Sequence, residues 1–85
     1  MINIFALERE MISRSKWRSF YNEMPAECRK IIEKEKERPS GLIGLGHNEE
    51  VGYFVLMSGQ GPFICWAEKL TQEEIVEANR VIHRF

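Results

Sequence analysis

Apolar residues recur at helical spacing near the start of the chain. They lie three or four residues apart and comprise Ile4, Leu7 and Met11. Asn3 directly precedes them, where its side chain can cap the first turn of a helix. The spacing breaks near Ser13 and resumes with an apolar, largely aromatic set, which comprises Trp17, Phe20, Tyr21 and Met24. The pattern predicts one helix, or two that meet at a kink near Ser13, while the alternation of Ile2 and Ile4 leaves a short N-terminal strand as the alternative.

A second helix is predicted from Pro25 to about residue 37. Proline is favoured in the first turn of a helix, and the negative charge of Glu27 suits the positive end of the helix dipole. The helix is largely charged and has one narrow apolar stripe, which comprises Cys28, Ile31 and Ile32. The Pro- and Gly-containing run at 38–41 ends it.

Three strands are predicted after this helix, at 42–47, 51–58 and 62–67. The turns between them, at 48–50 and 59–61, are short and favour an antiparallel meander. Pro62 has no backbone N–H to donate, so the third strand is predicted to lie at an edge of the sheet at that end.

The predicted strands are apolar on both faces, whereas an antiparallel strand with one face in water alternates apolar and polar residues. In the second strand the alternation predicts one face with Tyr53, Val55 and Met57 and the other with Phe54 and Leu56. In the third strand it predicts one face with Phe63 and Cys65 and the other with Ile64 and Trp66. Either helices cover both faces of the sheet, or one face is a binding surface. We expect partial cover, with a partner approaching on the side of Gly44 and Gly46, where the strand carries no side chains.

The last helix is predicted over residues 71–85. Thr71 and Glu74 form a capping box, and Leu70 and Ile75 are placed to close a hydrophobic staple around it. The core-facing residues recur at helical spacing and comprise Ile75, Ala78, Ile82 and Phe85. We expect Phe85 to be packed in the core.

Together these elements predict an α+β fold in the order α-α-β-β-β-α, with helices packed on a small three-stranded antiparallel β-meander. The sheet would be part of two layers or sandwiched between helices. The chain of 85 residues is expected to be a single domain, with a helical region at 3–38, the meander at 42–67 and the last helix at 71–85. Hydrophobic content of 44% and charged content of 29% are typical of globular chains and argue against disorder.

Targeting signals are not apparent in the sequence. It has no apolar run of about 18 residues that would span a bilayer, and its N-terminus lacks the features of a signal peptide. We therefore expect a cytoplasmic protein without a membrane partner, in which Cys28 and Cys65 are reduced thiols.

Candidate catalytic and metal-binding chemistry is weak. The thirteen acidic residues are all Glu, so sites built on Asp, such as an EF-hand loop, are excluded. Cys65 and His47 would form a thiol–imidazole pair only if the strand register brought them together, and the apolar neighbours of Cys65 favour a buried structural thiol. Neither the cysteines and histidines nor the glycines have the spacing of a zinc site or a phosphate-binding loop. We expect a protein that is not an enzyme and has no cofactor or metal.

The leading functional hypothesis is a small protein-binding module. Aromatic residues and Met are enriched among interface anchors, and the predicted binding residues are Tyr53, Met57, Trp66, Gly44 and Gly46. Small proteins without catalytic residues often act as inhibitors or adaptors of larger proteins, bacteriophage accessory proteins among them. A homodimer is one form that such a module could take.

The alternative hypothesis is a regulator that binds nucleic acid through residues 13–21. This segment mixes cations, hydroxyls and aromatics, and its predicted contacts are Arg14, Lys16, Trp17 and Arg18. Against it stands the isoelectric point of about 6.1, because nucleic-acid-binding domains are usually basic. The same aromatics also suit an ordinary core stripe, with Arg14 and Arg18 in solvent. Binding of this kind would weaken steeply with salt.

Overall fold

The computed structural model describes residues 2–37, 43–58 and 61–82. Within these ranges the chain has an α+β fold, a four-stranded antiparallel sheet with helices on both faces. The helices are α1 (Ile4–Glu8), a 3₁₀ helix (Arg14–Glu23), α2 (Ala26–Glu37) and α3 (Gln72–Ile82). The strands, in their order across the sheet, are β1 (Met11–Ile12), β2 (Ile43–Asn48), β3 (Gly52–Ser58) and β4 (Pro62–Ala67).

The N-terminal region departs from the predicted single or kinked helix. Asn3 caps α1 as predicted, accepting hydrogen bonds from the backbone N–H groups of the second and third residues after it. The helix ends at Glu8, and Met11 lies in a strand that pairs with β2 through Met11–Gly46 and Ile12–Leu45. The prediction of three strands was therefore wrong. A two-residue strand has no periodic signal, because it forms through pairing with a segment more than thirty residues further along the chain.

The segment after β1 is a 3₁₀ helix of ten residues, which is long for this type of helix. At its start the indole Nε1 of Trp17 donates a hydrogen bond of 3.0 Å to the carbonyl of Ile12. This bond ties the helix to β1. The element order is thus α-β-3₁₀-α-β-β-β-α, with the 3₁₀ helix in the place of the predicted kinked helix.

The first core lies on the face of the sheet that α1 and α3 cover. It comprises Ile4, Leu7, Val51, Phe54, Leu56, Ile64, Ala67, Ile75 and Ala78. Phe54, Leu56 and Ile64 are almost completely buried, so each contributes roughly 1.5–3 kcal/mol through removal from water.

The second core lies on the opposite face, under the 3₁₀ helix and α2. Its buried members are Trp17, Met24, Cys28, Ile32, Leu45, Tyr53 and Val55. Strand β3 thus contributes to both cores, with Phe54 and Leu56 in one and Tyr53 and Val55 in the other. This division was predicted from the alternation along the strand and is confirmed.

A β-bulge in β4 changes which side chains of that strand point to each face of the sheet, so the predicted assignment was wrong. Leu56 pairs with Ile64 and the preceding Val55 pairs with Trp66, so Cys65 is the extra residue of the bulge. Ile64 accordingly packs in the first core and Trp66 against the second, although the sequence placed them on one side. Cys65 is exposed, so the prediction of a buried thiol was wrong.

The N-terminus of α3 confirms the predicted capping box. The backbone N–H of Thr71 donates to the Glu74 carboxylate at 2.9 Å, and the N–H of Glu74 donates to the Thr71 hydroxyl at 3.1 Å. Leu70 and Ile75 both pack in the first core, as the predicted staple requires. Phe85 and the side chain of Ile82 lie outside the described residues.

Candidate functional site: a partly open face of the sheet

Two neighbouring rows of side chains cross the sheet on the face of the second core. In one row Leu45 pairs with Val55, which pairs with Trp66, and in the next Ile43 pairs with Met57, which pairs with Phe63. Residues directly opposite on adjacent strands point to the same face. Both rows therefore lie on the face that the 3₁₀ helix and α2 cover.

The helices cover this face unevenly. Over β2 and the start of β3 the cover is close, and Tyr53 is only 9% exposed. Toward β4 the helices leave this face partly uncovered. There Met57 is 41% exposed, Phe63 is 44% exposed and Trp66 is half-buried. We call Met57, Phe63 and Trp66 the open patch. It is apolar, and its members come together through strand pairing and the bulge at Cys65, which turns Trp66 to this face.

The glycines of β2 lie on the opposite face, and the space beside them is filled. A side chain on Gly44 would meet the sulfur of Met11, and one on Gly46 would meet the ring of Phe54. The residues predicted to form one binding surface are therefore divided. Met57 and Trp66 share the open patch, whereas Tyr53 and Gly46 are buried by side chains of the protein itself, and the half-buried Gly44 lies on the opposite face beside Met11.

Side chains close the outer edge of β4. The Asn79 amide of α3 accepts a hydrogen bond from the N–H of Ile64 at 2.8 Å and donates one to its carbonyl at 3.0 Å. Pro62 and the bulge at Cys65 flank this pair on either side. Proline, bulges and covered edges all hinder the addition of a further strand.

The opposite edge of the sheet also carries hydrogen bonds from side chains. The Trp17 indole occupies the carbonyl of Ile12, and the Arg14 guanidinium donates to the carbonyl of Ile43 at 3.0 Å. Strand β1 itself is only two residues long. A partner is therefore more readily bound by side chains on a face of this sheet than by strand pairing at its edges.

Part of the basic segment, residues 13–21, makes contacts within the protein. Arg14 forms an ion pair of 2.9 Å with the buried carboxylate of Glu35, and its guanidinium lies 4.8 Å from the centre of the Trp17 ring. Trp17 is buried, and Lys16 and Arg18 have exposed side chains. The nucleic-acid hypothesis stays a prediction. Three of its four residues are exposed and only Trp17 is buried, while Arg14 and Trp17 also join the 3₁₀ helix to α2 and the sheet.

The structure does not bring Cys65 and His47 together. His47 pairs with Tyr53, and the two ring centroids are 4.5 Å apart. Cys65 lies in β4, beyond the whole width of β3, so about 10 Å separates the two strands that carry the pair. Partial burial by its neighbours also raises the pKa of the Cys65 thiol, which makes it a weaker nucleophile at neutral pH.

Cys28 is fully buried in the second core. Burial raises the pKa of its thiol to about 11, and the negative charges of Glu68 and Glu27 add to the shift. Within the described ranges, no three His, Cys or Glu residues are grouped so that they could hold a metal ion.

Sequence reasoning did not single out two residues that matter here, Phe63 and Asn79. Asn79 is a polar residue within the apolar stripe of α3, four positions after Ile75, and a buried polar side chain needs a partner. The position of Asn79 in this apolar stripe could therefore have identified it from the sequence. Phe63 was placed in its strand, but its exposure depends on where the helices of the opposite layer end.

Comparison with protein-family models, curated proteins and solved structures finds no match for this chain. Of the helices described, none has the length and apolar character needed to cross a membrane.

Proposed function

We propose that this protein is a non-enzymatic protein-binding module, an inhibitor or adaptor of a larger protein of the kind found among phage accessory proteins. It binds its partner through the open patch. The observation that carries the proposal is the pairing of Met57 with Phe63, both more than 40% exposed, beside the half-buried Trp66. Met, Phe and Trp are enriched in the buried centres of protein interfaces.

The size of the open patch suits the centre of an interface. An aromatic side chain buries 150–250 Å² when fully covered, so Phe63 at 44% exposure offers about 100 Å². With Met57 and Trp66 the patch amounts to roughly 200–300 Å², at the lower end of the largest apolar patches on monomeric proteins, which are about 300–600 Å² and often functional. A patch of this area accommodates one or two apolar side chains of a partner, and polar contacts around it would complete the interface.

The mode of binding follows from the closed edges of the sheet. Because Asn79 occupies the outer edge of β4 and side chains cap the β1 side, the partner does not extend the sheet by adding a strand. It packs side chains onto the face between β4 and the end of the helical layer. The cytoplasm is the proposed compartment, where Cys28 and Cys65 would remain free thiols.

Affinity capture tests the proposal. The immobilised full chain is exposed to a lysate of its source organism, alongside variants Met57→Ala and Trp66→Ala and the control Met11→Ala. Met11 is 37% exposed but lies in β1, away from the open patch. The captured protein should be retained by the control and bind at least about tenfold more weakly to the two patch variants, a loss of about 1.4 kcal/mol.

Circular dichroism establishes that each variant is folded before capture. Equal capture by the wild type, Met57→Ala and Trp66→Ala would show that the open patch is not the binding surface.

A further inference from the structure

The open patch is followed along β4 by a charged residue, Glu68. Trp66 and Glu68 are two positions apart, so their side chains lie on the same side of the chain, about 7 Å apart along it. The backbone N–H of Glu68 donates to the carbonyl of Tyr53 at 2.8 Å, directly after the pairing of Ala67 with Phe54. Glu68 therefore lies on the face of the second core, beside the open patch.

The Glu68 carboxylate is held in place and is also accessible. One of its oxygens accepts a hydrogen bond from the backbone N–H of Tyr53 at 3.2 Å, and the residue is exposed. Burial is the main cause of the raised pKa values of Cys28 and Tyr53, and the negative charge of Glu68 adds to both shifts. A carboxylate that is already positioned loses little side-chain freedom when it pairs with a cation.

The other charges near this face do not cancel the charge of Glu68. From residue 39 to residue 68 the sequence has no Lys or Arg, and the acidic residues there are Glu49, Glu50 and Glu68. Helix α2 carries four acidic and four basic residues, so it adds no net charge. The 3₁₀ helix has its cations in its first half, which Trp17 ties to β1, and its one acid, Glu23, at its end. Lys69, the residue after Glu68, donates to the backbone carbonyl of Glu49 in the turn before β3.

The other end of the open patch lies near one basic side chain. Arg80 lines a groove between β4 and α3, together with Phe63 and Asn79. Its guanidinium lies 3.4 Å from the carboxylate of Glu77, which balances its charge. A cationic group of a partner bound to the open patch is therefore favoured at the Glu68 end.

We propose that the partner of the open patch is a protein segment that carries an apolar side chain and, about 7 Å from it, a Lys or Arg. The apolar side chain packs on Trp66 and Met57, and the cation pairs with the Glu68 carboxylate. An extended segment places two such groups two residues apart, and a helix places them three or four apart. Charge complementarity fixes the orientation of the segment and speeds its association. This inference rests on the proposed function, because it states the chemistry of the partner at the same patch.

Selection from a phage-displayed library of random dodecapeptides tests this chemistry. The folded full chain is the target, and peptides that also bind Met57→Ala or Trp66→Ala are removed by counter-selection. The remaining peptides should be enriched in Lys or Arg at two to four positions from an apolar residue, and depleted in Asp and Glu, relative to the unselected library.

A synthetic copy of an enriched peptide then measures the role of Glu68. Glu68→Gln keeps an oxygen that can accept from the Tyr53 N–H but removes the charge. At about 50 mM NaCl it should weaken binding about two- to fivefold, and about 500 mM NaCl should weaken the wild type but have little effect on this variant. Glu73→Gln is the control, because Glu73 is exposed on α3, which covers the opposite face; it should bind like the wild type.

The outcomes separate this inference from the proposed function. Peptides that require Met57 but lack a basic residue, or that bind Glu68→Gln as tightly as the wild type, overturn the inference and leave the proposed function standing. A selection that yields no peptide dependent on Met57 or Trp66 overturns both. Sedimentation of the chain alone provides the last check, since a dimer that Met57→Ala dissociates would show that a second copy occupies the patch, and would overturn the inference.

Discussion

Replacing Asn79 with alanine removes both hydrogen bonds between α3 and the backbone of Ile64. The bonds are 2.8 and 3.0 Å long, and Asn79 is only 8% exposed. The change leaves a buried N–H and a buried C=O without partners, each costing about 1–3 kcal/mol. We therefore expect Asn79→Ala to lower the free energy of unfolding by about 2–4 kcal/mol, a large part of the roughly 4–13 kcal/mol expected for 85 residues.

Urea denaturation followed by tryptophan fluorescence measures this loss. Gln72→Ala is the matched control, because Gln72 lies on the same helix beside the same groove but is exposed. The control should change the free energy of unfolding by no more than about 0.5 kcal/mol. If Asn79→Ala were equally mild, the two hydrogen bonds would not hold α3 to the edge of β4.

Asn79→Asp tests the two hydrogen bonds separately, because the introduced carboxyl can donate a hydrogen bond only when it is protonated. An ionised carboxylate still accepts from the Ile64 N–H, but it cannot donate to the Ile64 carbonyl and is itself buried. The pKa of the introduced carboxyl should therefore be raised in the folded state above its unfolded value of about 3.9. Its stabilising contribution is fully present below that value and is lost as the pH rises through the folded pKa. This variant should be closer in stability to the wild type at pH 4 than at pH 7, and the reverse order would contradict the assignment.

Two further predictions concern the cores. Gly46→Ala should destabilise the protein by about 1–3 kcal/mol, because the new methyl group meets the buried ring of Phe54. Gly44→Ala should be milder, because its methyl group meets the flexible and exposed Met11. Equal urea midpoints for the two variants would contradict this prediction. The pKa of Cys28 is raised from 9.0 to about 11, so the folded state keeps its proton longer than the unfolded state, and stability should fall by up to about 2 kcal/mol as the pH rises between these values. A Cys28→Val variant should lack this part of the pH dependence, and an identical pH profile would show that the thiol does not cause it.

Elements with a local signal were predicted well from the sequence. The capping residues Asn3 and Thr71 act through neighbours two or three positions away, and both caps are present. The alternation of β3 likewise assigned Phe54 and Val55 to opposite cores. Each of these features depends on contacts or periodicity within a few residues, which a sequence displays directly.

The errors arise where distant pairing decides the structure. Strand β1 exists only because Met11 and Ile12 pair with β2, and the side that Trp66 faces depends on the bulge at Cys65. A single inserted residue reverses the direction of the following side chains, because the period of a strand is two. The candidate site could therefore be predicted only in part. Met57 and Trp66 were identified, but Phe63 and the cover over Tyr53 depend on the packing of whole layers.

The burial of residues 51–56, which include most of β3, has a consequence for the unfolded chain. Residues 51–56 are all buried, and the run 51–57 contains no charge and no proline. Uncharged segments of six or seven residues with high β-propensity are prone to form intermolecular β-aggregates when exposed. Glu49 and Glu50 stand directly before the run, where charged residues act as gatekeepers against self-association. The strand that holds both cores together in the native state is thus the segment whose exposure makes unfolding hazardous, and the two glutamates limit that hazard.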